Sequence, residues 1–212
     1  MVTLDDGFKS NFKSLEVFRQ CGVVPTIFIA SGVVDTKVPG GRSDVERLKT
    51  VPDSERVKAL ASFGHGETDT FPDRSALSRA EIELMMRNVD FQSHTVLHPI
   101  LSMCSDDRSR TEIAESKTAL EQRYGLDVFA LAYPNGTAAD FGKREPSLAT
   151  VAGYRCAVTT IPGLNDGRTD LFRLRRIVIP DEAAESEVVV RASLVPEYLK
   201  RAPPFLRRWP HT

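Results

Sequence analysis

The chain has 212 residues, which fits one domain that buries about 70% of its unfolded surface and needs no disulfides to be stable. A composition of 41% hydrophobic and 27% charged residues is ordinary for a globular protein, and a net charge of −1 excludes a global basic field that would gather nucleic acid or anionic lipid. The three cysteines, Cys21, Cys104 and Cys156, predict neither a disulfide framework nor a cysteine zinc site. No apolar run approaches the roughly 18 residues of a transmembrane helix.

Short apolar runs alternate with helical patterns along the chain, which indicates α/β architecture. In chain order the sequence predicts a strand at 2–4, a helix at 10–20, a strand at 23–30, a helix from Ser78 to about residue 88, a strand at 89–92, a helix at 106–124, strands at 128–132, 155–159 and 175–179, and a closing helix at 185–199. This succession favours an incomplete or distorted (β/α) barrel in a single domain, residues 1–212.

Two segments and the start of the chain stand apart from this pattern. Residues 31–74 are polar and rich in proline and glycine, which predicts a long loop insertion with only short helical patches, and residues 200–212 form a basic tail. Only four residues precede Asp5, so we expect a truncated first strand. The chain as it stands predicts a cytoplasmic protein, whereas a missing N-terminal segment would allow membrane association or export.

Two adjacent carboxylates, Asp5 and Asp6, follow the first predicted strand and precede Gly7. Alone, this is typical of an ordinary Asp-Gly turn. If both side chains face one cavity, their charges repel each other unless a cation lies between them. The pair therefore leaves two interpretations open, a turn or part of a cation site.

His94 and His98 follow another predicted strand, and two of the four histidines of the chain are found here. A lone histidine is usually a satisfied core or surface residue, but two at i and i+4 share one face of a helical turn, a spacing that zinc sites use. With one carboxylate they would supply three ligands and leave open positions, which is the layout of a catalytic metal site. The second carboxylate could then act as a base toward water.

Three segments resemble motifs of the polysaccharide deacetylases, the NodB-homology or carbohydrate esterase 4 group: Thr3-Leu4-Asp5-Asp6-Gly7, Ser93-His94-Thr95-x-x-His98-Pro99 and Leu131-Ala132-Tyr133-Pro134-Asn135-Gly136. The resemblance implies a distorted (β/α) barrel of about seven strands and one divalent metal ion, with zinc expected, bound by Asp6, His94 and His98. It also implies that Asp5 is the catalytic base, and that the substrate is a carbohydrate.

The third motif supplies the remaining catalytic expectations. The backbone N–H of Asn135 would stabilise the oxyanion. Many family members carry an arginine in this motif that pairs with the catalytic aspartate, but here that position is Ala132, and Arg176 is the candidate to replace it. A late Leu-x-His motif, whose histidine is the general acid in many members, is absent, because His65 and His211 lie elsewhere in the chain.

The leading hypothesis is thus a metal-dependent deacetylase that removes acetyl groups from N-acetylated sugars of a polysaccharide or its precursor. One alternative is a related metal amidohydrolase that opens cyclic amides or imides. Another is a degenerate domain that binds glycan without turnover, suggested by the missing arginine and histidine. The full set of Asp5, Asp6, His94 and His98 argues against the last alternative, because binding alone needs no base.

Overall fold

A computed structural model describes residues 1–35, 51–62, 76–180 and 183–194. Six parallel strands form one sheet whose spatial order is the chain order: β1 (Thr3–Leu4), β2 (Thr26–Ile29), β3 (Asp90–Ser93), β4 (Ala130–Ala132), β5 (Cys156–Pro162) and β6 (Leu174–Arg176). Parallel neighbours joined by crossovers of one hand place the connecting helices on a single face, so the sheet curls around its other face. The expected α/β, distorted half-barrel is confirmed, with six strands in these ranges rather than about seven.

The helices are α1 (Ser10–Gln20), α2 (Asp53–Ser62), α3 (Arg79–Met85), α4 (Asp106–Tyr124), α5 (Arg144–Val151) and α6 (Glu185–Ala192). Ser78 and Glu81 form the predicted capping box of α3, and Gly125 ends α4 in the left-handed conformation. The prediction for the last helix was too long, because α6 ends at Ala192 and Leu194 has a φ of 61°. None of the helices in the described ranges combines the length and apolar character needed to cross a bilayer.

Alternate side chains of the strands enter two different cores. On β2, Ile27 and Ile29 pack outward with helix residues such as Ile113 and Leu120, while Phe28 lies on the opposite face with Ala132 and its neighbours. That inner cluster consists mainly of small or medium side chains: Phe28, Ala130, Ala132 and Val158, with Phe129, Cys156 and Leu174 at its margin. The small alanines fit the tightly curved interior of the sheet.

The polar residues that follow β1, β3 and β4 lie at one rim of this half-barrel, because the carboxyl ends of parallel strands meet at the same edge. The long insertion predicted at 31–74 contains the ten-residue helix α2, which is more regular than the short helical patches expected there. Residues 36–50 and 63–75, with His65, lie outside the described residues, as does the basic tail with His211.

Candidate metal centre

Asp6, His94 and His98 converge at the rim although 88 residues separate Asp6 from His94 in the sequence. The Nε2 atoms of His94 and His98 lie 3.3 and 3.2 Å from Asp6 Oδ1, and the three potential ligand atoms all lie within 4.8 Å of one another. The imidazole rings meet edge to face, with centroids 4.6 Å apart and an interplanar angle of 72°. The parallel register of the strands therefore brings the first two sequence motifs together.

The backbone at this rim is strained. Asp6, Thr95, His98 and Asn135 all have φ between 56° and 71°, a region that costs residues other than glycine about 1–3 kcal/mol each. In the second motif, the hydroxyl of Thr95 accepts a hydrogen bond from the His98 backbone N–H at 3.1 Å, which holds the turn between the two histidines. Strain of this kind is stored where the surrounding structure fixes the backbone, and it clusters at functional sites.

The hydrogen bonds of His94 determine which ring nitrogen can bind a cation. Its Nδ1 lies 2.8 Å from the carbonyl oxygen of Ala132, and because a carbonyl only accepts, Nδ1 carries the proton. In the neutral ring, Nε2 then directs its lone pair at Asp6, as in metal sites whose histidines are oriented by a backbone carbonyl. The residue that replaces the third-motif arginine, Ala132, thus still contributes through its backbone.

The cluster has the charge and spacing to hold a divalent cation. Asp6 Oδ1 is buried and lacks a hydrogen-bond donor in the described structure. Two ligands bound at about 2.0–2.1 Å to a tetrahedral ion lie roughly 3.3 Å apart, and the separations from Asp6 Oδ1 to the two Nε2 atoms are 3.3 and 3.2 Å. A proton on His94 Nε2 could form a hydrogen bond only with Asp6, whereas a divalent cation could be bound by Asp6 and both histidines at once. The residues present therefore fit such an ion.

The three side chains differ in how the site shifts their pKa values. Burial lowers the pKa of His98 to about 4, which keeps this imidazole neutral. Burial also lowers the pKa of His94, but the neighbouring carboxylates of Asp6 and Asp5 raise it above its ordinary value. Burial raises the pKa of Asp6, yet the two histidines together hold it below its usual range. Asp6 is therefore an ionised carboxylate at neutral pH.

Asp5 faces a guanidinium group from the far edge of the sheet. Arg176 donates from Nη1 to Asp5 Oδ1 and from Nη2 to Oδ2, both at 2.7 Å, and also to the hydroxyl of Thr3 at 3.2 Å and the carbonyl of Thr159 at 2.8 Å. Burial raises the pKa of Asp5, but the hydrogen bonds and charge of Arg176, together with His94, keep it below the ordinary value. Asp5 is thus an ionised and oriented carboxylate beside the three-residue cluster.

Asn135 lies on the loop after β4, three residues beyond Ala132. Its carbonyl accepts a hydrogen bond from the Thr160 hydroxyl at 2.7 Å, and the backbone N–H of Thr160 donates to the carbonyl of Gly136 at 2.9 Å. These bonds fix the loop on β5. Among the described residues, no hydrogen bond uses the Asn135 N–H, so it is available to an acceptor from outside the chain.

The sequence patterns missed a layer of buried polar residues behind the histidine turn. The Tyr154 hydroxyl donates to Ser93 Oγ at 2.7 Å, Ser93 and Ser116 hydroxyls lie 2.8 Å apart, and Ser116 donates to the Thr95 carbonyl at 2.9 Å. Glu112 also reaches this turn from α4. One sequence pattern could have revealed this layer. Glu112 and Ser116 are four residues apart, which places them on the face of α4 that also carries the apolar residues Ile113 and Leu120.

Comparison with known proteins identifies the family. The family model described as "Polysaccharide deacetylase" matches residues 1–157, which include all three motifs. The chain belongs to the polysaccharide deacetylase family. A curated relative from Bacillus subtilis (strain 168), "Putative polysaccharide deacetylase YxkH", is 21% identical over 178 residues, covering 84% of this chain and 50% of the relative. The chain thus spans half the length of this curated relative.

Solved structures of family members share the fold. The Streptococcus pyogenes deacetylase PplD, solved in complex with acetate, is 21% identical with a TM-score of 0.65, and the match covers 89% of this chain and 68% of that one. BC0361, a polysaccharide deacetylase from Bacillus cereus, is 22% identical with a TM-score of 0.65, covering 90% and 50%. IcaB from Ammonifex degensii is 18% identical with a TM-score of 0.65, covering 91% and 71%. At these identities the likeness establishes the fold.

Proposed function

We propose that this chain is a metal-dependent hydrolase that removes acetyl groups from N-acetylated sugars of a polysaccharide or its precursor. The observation that carries the proposal is the position of an ionised, arginine-held carboxylate, Asp5, next to the convergent ligands Asp6, His94 and His98. Membership of the polysaccharide deacetylase family supports the choice of an acetylated sugar as substrate.

In this proposal, Asp6, His94 and His98 hold one divalent ion, for which zinc is the expected identity because the ligands are two imidazoles and a carboxylate. When bound, such an ion supplies Lewis-acid polarisation of the acyl carbonyl and lowers the pKa of water. The Ala132 carbonyl keeps His94 in the tautomer that presents Nε2, and the Thr95 hydroxyl holds the turn that presents His98.

Asp5 is the catalytic base. Its carboxylate accepts a proton from the attacking water as the C–O bond forms at the acetyl carbonyl. Arg176 fixes both carboxylate oxygens and holds the pKa of Asp5 low, so that the group is unprotonated when water arrives. Arg176 therefore acts as a positioning residue in place of the arginine missing from the third motif.

The remaining steps use groups at the same rim. The N–H of Asn135 is the backbone donor for the oxyanion that develops on the acetyl oxygen. No histidine lies between His98 and His211 in the sequence, so we assign the return of the proton to Asp5 itself. The proton that Asp5 has taken from water passes to the leaving nitrogen as the C–N bond breaks, which yields acetic acid and a free amine and restores the Asp5 carboxylate. At neutral pH the proton of the acid passes to the amine, which gives acetate and an ammonium group.

The experiment compares wild type, Asp5→Asn and a control, Asp127→Asn, in elemental analysis and in acetate release from N-acetylglucosamine oligomers. Asp127 forms an exposed 3.1 Å ion pair with Arg155 and precedes β4, at the opposite rim. We expect Asp5→Asn to keep its metal and to lose at least ~100-fold in rate, with the control unchanged. Full activity of Asp5→Asn would refute the assignment of the base.

Other outcomes discriminate the alternative functions. Stoichiometric metal without acetate release from any glycan would indicate a binding domain. Hydrolysis of cyclic imides without acetate release would indicate an amidohydrolase with the same metal chemistry. Wild-type protein that binds no divalent metal would contradict the proposed mechanism altogether.

A further inference from the structure

The turn that carries both histidines rests on a buried carboxylate from another element. Glu112 on α4 accepts hydrogen bonds from the backbone N–H groups of Val96 and Leu97, both at 2.8 Å to the same oxygen, Oε2. Its other oxygen, Oε1, pairs with Arg108 Nη2 at 3.0 Å. The Glu112 side chain is 1% exposed, so this carboxylate is removed from water and committed to these contacts.

Ser116 lies one helical turn after Glu112 and therefore on the same face of α4. Its hydroxyl donates to the carbonyl of Thr95 at 2.9 Å. Together the two side chains hold three successive residues of the turn, Thr95 through its carbonyl and Val96 and Leu97 through their N–H groups. The segment between the histidines is thus attached to α4 along its whole length.

This attachment bears on the geometry of the metal ligands because the turn is strained at both ends. Thr95 and His98 have φ of 66° and 57°, conformations that persist only when neighbouring groups fix them. His98 Nε2 lies 3.2 Å from Asp6 Oδ1, so a relaxed turn would move this nitrogen out of the ligand set. The two hydrogen bonds that Glu112 accepts from the turn come from backbone N–H groups and not from ligand atoms, so the residue acts on the site through the backbone.

We infer that Glu112 is a positioning residue that sets the metal affinity of the site by holding the turn from His94 to His98, a role that rests on the proposed function. The carboxylate is suited to this task because one oxygen can accept two N–H groups while the other faces a guanidinium. A glutamine at this position could not satisfy both sets of donors, since its amide nitrogen would meet either Arg108 or the two N–H groups.

Glu145 provides a matched control. It is also 1% exposed, accepts a backbone N–H from Gly142 at 2.7 Å and pairs with the neighbouring Arg144 at 2.7 Å, but it belongs to α5 and forms no hydrogen bond or ion pair with the turn in the described structure. Glu112→Gln and Glu145→Gln therefore remove the same kind of buried charge. Their comparison separates a role in the metal site from a role in stability alone.

The test measures Zn²⁺ affinity of the metal-free proteins by competition with a chromophoric chelator, the visible spectrum of the Co²⁺ forms, and thermal unfolding without metal. We expect Glu112→Gln to weaken Zn²⁺ binding by about 10–100-fold and to alter the Co²⁺ spectrum. Glu145→Gln should lower the melting temperature by about as much as Glu112→Gln does, but it should keep the Zn²⁺ affinity and the Co²⁺ spectrum of the wild type. Ser116→Ala, a milder change, should weaken Zn²⁺ binding by roughly 2–10-fold.

The outcomes distinguish this role from the proposed function. If wild type binds Zn²⁺ and both Glu112→Gln and Ser116→Ala bind it equally well, the positioning role is wrong and the proposed function stands. If Glu145→Gln weakens binding as much as Glu112→Gln, the effect is general destabilisation and the role is also wrong. If wild type binds no Zn²⁺ or Co²⁺, the proposed function fails, and the role of Glu112 fails with it.

Discussion

Replacing Arg176 by lysine tests whether the arginine from β6 positions Asp5, the proposed catalytic base. The guanidinium donates to both oxygens of Asp5 at 2.7 Å, whereas an ammonium keeps the positive charge but cannot reproduce the planar two-point contact. Arg176→Lys therefore changes the orientation of Asp5 more than the local charge. Zn²⁺ binding should be unchanged, because no described hydrogen bond joins Arg176 to Asp6, His94 or His98.

The size of the effect follows from the lost hydrogen bond. A hydrogen bond between charged groups contributes about 1.5–3 kcal/mol, which corresponds to roughly 10–150-fold in rate if it is needed only in the transition state. The Asp5 side chain is 28% exposed, so water replaces part of the lost contact. We therefore expect kcat to fall by about 10-fold, near the lower limit of that range.

The assay is a double-mutant cycle in acetate release, with Arg175→Lys as the control. Arg175 lies on the same strand but is exposed, and in the described part of the chain its guanidinium forms one long hydrogen bond, 3.4 Å to the carbonyl of Pro162. If Arg176 acts through Asp5, Arg176→Lys should have little further effect in the Asp5→Asn background. A full 10-fold loss in that background, or an unchanged kcat in the single variant, would refute the reasoning.

Two further predictions concern the ion and the first motif. Removal of metal with dipicolinate should abolish acetate release and lower the melting temperature. Adding Zn²⁺ at about 1,000 times its Kd should then raise the free energy of unfolding by about 4 kcal/mol. Unchanged activity after verified metal removal would contradict the metal site. Gly7→Ala should destabilise the fold more than Gly22→Ala in urea unfolding, because both glycines have positive φ (68° and 64°) but only at Gly7 would the new Cβ meet another atom, Ile29 Cγ2 at 2.5 Å. Equal losses of unfolding free energy in the two variants would show that the contact between a Cβ at position 7 and Ile29 does not affect stability.

The helices predicted most accurately are those that a glycine follows closely. The bounds 10–20 and 106–124 match α1 and α4, which are followed by Gly22 and Gly125. In contrast, no bounds could be predicted for α5, whose first residue, Arg144, donates hydrogen bonds to the carbonyls of Leu101 and Cys104 some 40 residues earlier. Contacts of this kind depend on the tertiary fold and leave no periodic pattern in the sequence.

The same distinction applies to the candidate site. Asp5, Asp6, His94 and His98 could be proposed from sequence because each follows a predicted strand, and the ends of parallel strands converge. Glu112 could not, since a glutamate within a highly charged helix is ordinarily a solvated residue. Only the packing of α4 against the turn reveals that this carboxylate is buried and hydrogen-bonded to the backbone.

The hydrogen bonds of Arg176 to Thr3 and Asp5 also link the two edges of the sheet. β1 and β6 form no backbone ladder with each other in the described ranges, so this single side chain spans the seam between the first and last strands. A seam without a ladder can open by local fluctuation at lower free energy than global unfolding. Because such opening would release Asp5 together with β6, we expect mild heating or low urea to abolish the proposed acetate release while the helices remain folded.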